Sequence, residues 1–187
     1  MFPNLIMSTT YAPHSHGVTL IEMLVTLAIA SILIAIAAPS FRKINQKWMT
    51  HSTSQAMHST LIIARSESIK NNGSIGIQKN QNTEKCRNAS NNKEWGCGWF
   101  IYMDSNNNRA WDNNEPKLHE IQLQGEINAI NNGGGSHLSL NRFGMINGLN
   151  ARSFTFSPAS DGIDSDATIT LCTSSGGRVR ITHAAQC

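Results

Sequence analysis

Glu22 is a lone carboxylate inside an apolar run, VTLIEMLVTLAIASILIAIAA, from Val18 to Ala38. At about 1.5 Å per residue, such a helix is long enough to cross a hydrocarbon core of about 30 Å. A charge in a membrane helix is costly and calls for a partner or a role. Hydrolysis after Gly17 would supply one by leaving Val18 with a free α-amino group one helical turn from Glu22. In a staggered array of such helices, the amine of one neutralises Glu22 of the next. The spacing predicts a subunit that polymerises out of a membrane.

Arg178 and Arg180 carry a second chemistry. They follow Gly176-Gly177 and alternate along a predicted strand. Residues two apart on a strand share a face at a spacing of about 6.7 Å. Two guanidiniums so placed can each grip phosphate oxygens along a nucleic-acid strand. No carboxylate side chain lies between Ala167 and Cys187, so this end is locally cationic although the whole chain carries only +3. The plainer reading is a pair of solubilising arginines, or partners for Asp161, Asp164 or Asp166. Arg142 and Arg152 are possible auxiliaries in DNA binding.

Asp104, Asn106, Asn108, Asp112 and Glu115 fill the first, third, fifth, ninth and twelfth places of a twelve-residue stretch. That is the oxygen-ligand spacing of a calcium loop. Arg109 stands where such a loop uses glycine, and no helix leads into it. An Asn/Asp-rich turn, whose side chains cap their own backbone, is the favoured reading and no metal is expected.

The cysteines are four, Cys86, Cys97, Cys172 and Cys187, all beyond the apolar run. An even number there predicts two disulfides formed in an oxidising compartment, with the periplasm as the natural choice. Of the three connectivities, Cys86 with Cys97 and Cys172 with Cys187 is favoured because each closes a short loop. The second closure would hold the arginine hairpin in shape. Zinc is the rival, but no C-x-x-C pair exists. There is also no G-x-S-x-G, no H-E-x-x-H and no phosphate loop, and the seven histidines are scattered, so neither an enzyme nor a cofactor is expected.

These groups must be positioned by a long helix and a small β domain. Pro39 predicts a kink or a meltable stretch at the end of the apolar run. Beyond it Phe41, Ile44, Trp48, Ala56 and Ile63 recur at helical spacings and predict the face that packs on the domain. Asn71-Asn72-Gly73 should stop the helix. Strands are predicted over 74–78, 98–103, 118–123, 153–156, 167–171 and 178–182. The fold class is α+β, with one long N-terminal helix packed on a small antiparallel sheet. Its segments are a leader over 1–17, a membrane and polymerisation helix over 18–38, an amphipathic continuation over 39–72, and a β-rich domain over 73–187.

GVTLIE resembles the signal of the type IV pilin and pseudopilin family, in which a Gly cut site precedes an apolar residue and Glu stands fifth after the cut. Val18 replaces the usual Phe, and the leader, beginning at Met1 or at Met7, holds no Lys or Arg. ARSESIK, WGCGWFIYMDSNNNRAWDNNEPKL, NRFGMINGLNARSFTFSP and SSGGRVRI are similar to the FimT and GspH branch. The resemblance implies processing and methylation by prepilin peptidase and assembly with other pilin or pseudopilin subunits. It also implies a single-pass inner-membrane location with a periplasmic domain, and a hairpin connection where the Asn-rich stretch lies. Gly177, Arg178 and Arg180 match the GRxR motif that FimT-like minor pilins use for DNA in natural transformation. The alternative within the branch is the H pseudopilin of type II secretion.

Overall fold

The computed structural model describes residues 17–148, 152–174 and 178–187. The leader before Gly17 and the Gly176-Gly177 turn lie outside the described residues. The chain divides into two compact units, Met1–Phe41 and Arg42–Cys187.

Helix α1 spans Leu20–Lys70. Thr19 caps it, its hydroxyl oxygen accepting the Glu22 N–H at 3.3 Å. Thr and Glu three apart form the spacing of a capping box, and an acidic first turn suits the positive end of the helix dipole. In the first unit the side chains are exposed along the whole apolar run, which is long and apolar enough to cross a membrane. Its hydroxyls are satisfied internally, Thr26 bonding the Met23 carbonyl and Ser31 that of Ala28. The helix continues through Pro39.

In the second unit the helix ends at Asn71-Asn72-Gly73. Asn72 and Gly73 take φ values of 55° and 97°, and the Gly73 N–H reaches back to the Ser68 carbonyl at 2.7 Å. This is the left-handed closure that glycine permits.

The buried face of α1 is the opposite of the one its large apolar residues predict. Phe41, Ile44, Trp48 and Ile63 are exposed and Ala56 is half-buried, whereas Thr50, Thr53, Ser54, Met57, Thr60, Leu61, Ala64 and Ser68 are buried. Trp48 and Met57 are nine residues apart, so at 3.6 residues per turn they lie about 180° apart. The physical reason is size and self-satisfaction. Thr50, Thr53 and Thr60 bond carbonyls four residues back at 2.8–2.9 Å, so burying their hydroxyls leaves nothing unpaired while small side chains admit close approach. Thr60 also accepts the indole N–H of Trp99 at 2.9 Å.

Against this face stand two antiparallel four-stranded sheets. The first contains β1 (Ile75–Lys79), β2 (Gly98–Met103), β3 (Lys117–Gln122) and β5 (His137–Leu140), in the order β3-β2-β1-β5. The second contains β4 (Ile127–Asn131), β6 (Arg152–Pro158), β7 (Ile169–Thr173) and β8 (Val179–Thr182), in the order β4-β6-β7-β8. The single sheet expected from sequence is thus two, and β4 and β5 are additions. One core joins Met57, Leu61 and Ala64 to Ile77, Trp99 and Ile101 of the first sheet and Phe154, Phe156 and Leu171 of the second.

Candidate functional site

Of the C-terminal arginines, Arg180 sits on an edge strand and Arg178 stands just before it. β8 pairs only with β7, matching Arg180 with Cys172, and Cys172 with Ser153 of β6. Directly opposed residues share a face of the sheet. Arg180 therefore stands with Ser153 and Cys172 on the face away from Phe154, Phe156 and Leu171. Arg178 precedes the strand, its carbonyl accepting the Ser174 N–H at 2.9 Å and its N–H bonding the Ser174 hydroxyl at 3.1 Å. Both arginines are exposed. The ion pairs among the described residues are Arg42–Asp161, Lys70–Glu67 and Lys117–Glu120, so neither arginine is tied to Asp161, Asp164 or Asp166. Gly177, the third member of the motif, lies outside the described residues.

Disulfides join Cys172 to Cys187 and Cys86 to Cys97. The first lays the C-terminal tail across the outer face of the second sheet. There the Thr155 hydroxyl donates to the Ala185 carbonyl at 3.2 Å and lies 3.0 Å from the Thr170 hydroxyl, while Asn132 donates to Thr155 at 2.9 Å. This hydroxyl network was not read from the sequence. Its signal was the alternation of Ser153 with Thr155 and of Thr168 with Thr170.

The auxiliary arginines divide. Arg142 is exposed, with its guanidinium carbon 4.9 Å from the centre of the Phe143 ring. Arg152 is committed to the backbone, donating to the Gly133 and Gly134 carbonyls at 3.1 and 2.8 Å. It props the 131–135 turn.

The Asn-rich stretch joins β2 to β3 as a hairpin connection. Asp104 accepts the N–H groups of Asn108 and Arg109, each at 3.0 Å. Glu115 accepts those of Ser105 and Asp112, at 2.8 and 3.1 Å. Asn106 and Asn108 both donate side-chain amides to one oxygen of Asp112, at 2.8 and 2.9 Å. Arg109 takes φ 66°, making the left-handed turn without a glycine. Among the described residues no three His, Cys, Asp or Glu side chains already converge as a metal-binding group.

A capped apolar helix carried into a two-sheet β domain is the architecture of a pilin-like subunit. Residues 53–185 match the family model for type II transport protein GspH, and residues 13–38 match the prokaryotic N-terminal methylation motif. The chain belongs to the GspH family. Two crystal structures of the type IV minor pilin FimU from Pseudomonas aeruginosa share its fold. One is 19% identical and covers 71% of this chain and 91% of FimU; the other is 20% identical and covers 76% and 92%. Both have a TM-score of 0.52. No curated protein matches the chain. Family membership implies assembly with other pilin or pseudopilin subunits and processing by prepilin peptidase. The family is one of structural components.

Proposed function

We propose that this protein is a FimT-like minor pilin of a type IV pilus that binds DNA without sequence preference, for uptake in natural transformation. Prepilin peptidase cuts after Gly17, and the mature chain is held once through the inner membrane with its β domain in the periplasm. The observation that carries the DNA reading is the exposure of Arg180 on an edge strand and of Arg178 just before it, both without an ion pair among the described residues, beside the Cys172–Cys187 bond. Arg142 assists. The fold shared with a type IV minor pilin supports the pilus as the assembly.

Few phosphate contacts mean weak binding. Affinity per subunit falls in the range of roughly 10⁻⁴–10⁻⁶ M, with a slope of log affinity on log salt of about −0.9 per phosphate neutralised. Several copies in one fibre would raise the avidity. The test is a gel-shift titration of the full chain in detergent against an Arg178→Gln, Arg180→Gln double variant, which keeps the strand and removes the charge. The variant should fold, lose most DNA affinity and fail to support transformation. A folded variant that shifts DNA like the parent excludes the motif. The second reading, an H pseudopilin handling protein in type II secretion, would then stand, favoured by the family model over residues 53–185.

A further inference from the structure

The connection between β6 and β7, residues 159–168, takes no part in the DNA reading. We propose that the cleft it forms with the Lys43–Lys47 stretch of α1 holds the headgroup of a zwitterionic phospholipid with a primary amine, phosphatidylethanolamine. The inference rests on the apolar run lying in a membrane, and not on Arg178 or Arg180.

Hydrogen bonds give the loop a fixed shape. The Ala159 N–H bonds the Glu126 carbonyl and the Gly162 N–H that of Pro158, each at 2.9 Å, with Gly162 at φ 72°. The hydroxyl of buried Thr168 donates to the Ile163 carbonyl at 2.9 Å. Two contacts fasten the loop to the helix. The Gln46 amide donates to the Ser160 hydroxyl at 3.0 Å, and Arg42 meets Asp161 at 4.0 Å. Beyond these contacts the two walls stand apart around a volume of about 330 Å³.

The charges across that space select the guest. Lys43 and Lys47 line one wall, and Asp164 and Asp166 the other. All four are exposed, and none takes part in an ion pair among the described residues. Two cations and two carboxylates thus share one cleft without closing on each other. A purely anionic guest would meet the aspartates and a purely cationic one the lysines, each a like charge at close range, whereas a guest of both signs can meet opposite charge on both walls. Phosphate accepts charge-assisted hydrogen bonds from the lysine ammoniums, and a primary ammonium donates them to the carboxylates. A choline headgroup has no proton to donate to the acidic wall.

The surrounding surface points to the source of such a guest. Lys43 follows Ala38, the last residue of the apolar run, by five positions in sequence and Lys47 follows it by nine. Ile44 and Trp48 on the helix and Ile163 on the loop are large apolar residues left exposed. Lys47 and Asp166 also line a second hollow that includes Trp48. Tryptophan gathers at the membrane–water interface, its ring at headgroup level, and lysine buries its stem there while its ammonium reaches the headgroups. An apolar rim around a two-signed cleft fits a lipid surface better than a soluble zwitterion.

The experiment titrates phosphatidylethanolamine, phosphatidylglycerol and phosphatidylcholine separately into detergent micelles of the full chain and counts retained lipid by native mass spectrometry. One phosphatidylethanolamine is expected, held about fivefold more tightly than either of the others, the upper end for one exposed ion pair. The Lys43→Gln, Lys47→Gln variant should weaken phosphatidylethanolamine and phosphatidylglycerol alike. The Asp164→Asn, Asp166→Asn variant should weaken phosphatidylethanolamine but not phosphatidylglycerol, removing the preference between them, which a merely structural role for the loop would not do. Equal retention of the three lipids by the parent overturns the proposal. So does a phosphatidylethanolamine preference that survives in the folded aspartate variant. Carbonate extraction of membranes reads the anchor separately. A chain released by carbonate removes the membrane on which the cleft depends, whereas a chain that stays in the membrane but shows no lipid preference refutes the cleft alone.

Discussion

Lys79 shows how much a single buried charge can organise. Its ammonium donates to the carbonyls of Ala89, Asn91 and Glu94 at 2.6, 2.6 and 3.2 Å, and the residue is 5% exposed. Three donors meet three acceptors, as an ammonium requires when water is excluded. Burial lowers its pKa from 10.5, and Glu94 opposes that shift. The carbonyls belong to the connection between β1 and β2 that the Cys86–Cys97 bond also closes, and which carries Trp95 into the core. Lys79→Met keeps the length of the side chain and strands those carbonyls, so stability should fall by about 1–3 kcal/mol. Urea unfolding of the two proteins in the same detergent measures it, and an unchanged midpoint would show that the carbonyls find other partners. At the same scale, Glu22 was legible because a carboxylate in an apolar run has no ordinary explanation. Arg178 and Arg180 stand out in the sequence by their alternate spacing and by the resemblance of GRVR to a family motif, and both are exposed. The bonds of Arg152 are not legible there, because its acceptors lie in a turn 18 and 19 residues away and nothing local announces them.

Among the elements, the helix carries the clearest divergence between pattern and packing. A hydrophobicity pattern ranks Ile44 and Trp48 above Thr50 and Thr53 as core residues, yet the sheets pack on the threonines. The pattern weighs transfer free energy and is blind to hydroxyls that bond their own helix. It also ignores how small side chains let a sheet approach. The strands divide for a related reason. GWFIYM over β2 announces itself by an unbroken β-branched and aromatic run, whereas INAIN in β4 and HLSL in β5 are short, half polar and flanked by Asn and Gly. Strand signals that weak are indistinguishable from loop until the ladder partners, β6 and β1, are known. The inverted face makes a sharp comparison of two substitutions. Thr60→Val is isosteric but leaves the buried Trp99 indole N–H without its acceptor, and should cost about 1–3 kcal/mol. Trp48→Ala removes far more apolar surface from an exposed position, and should change stability by about 0.5 kcal/mol or less. Thermal unfolding of both variants as dispersed protein in detergent decides it. The reverse ranking would mean that the large apolar face is the one packed in solution.

The whole molecule joins a membrane-type helix to a disulfide-linked β domain, and the function proposed for it depends on what happens at Glu22. Two roles compete for that carboxylate. In this chain it occupies the third helical position after Thr19, where Glu or Gln completes a capping box and steadies the helix start. In an assembled fibre it would instead neutralise the amine that cleavage creates at a neighbour's Val18. The roles separate by substitution, because Glu22→Gln keeps the cap and abolishes the charge, whereas Glu22→Val abolishes both. If pairing governs assembly, both variants should insert in the membrane, since neither shortens the apolar run, and both should enter the fibre poorly. If capping governs it, Glu22→Gln should assemble like the parent and only Glu22→Val should fail. Mass spectrometry of the parent protein should find Val18 at the mature N-terminus, methylated as the motif over residues 13–38 implies. Recovery of the intact leader from fibre fractions would remove the amine on which pairing depends and leave the cap as the only role for Glu22.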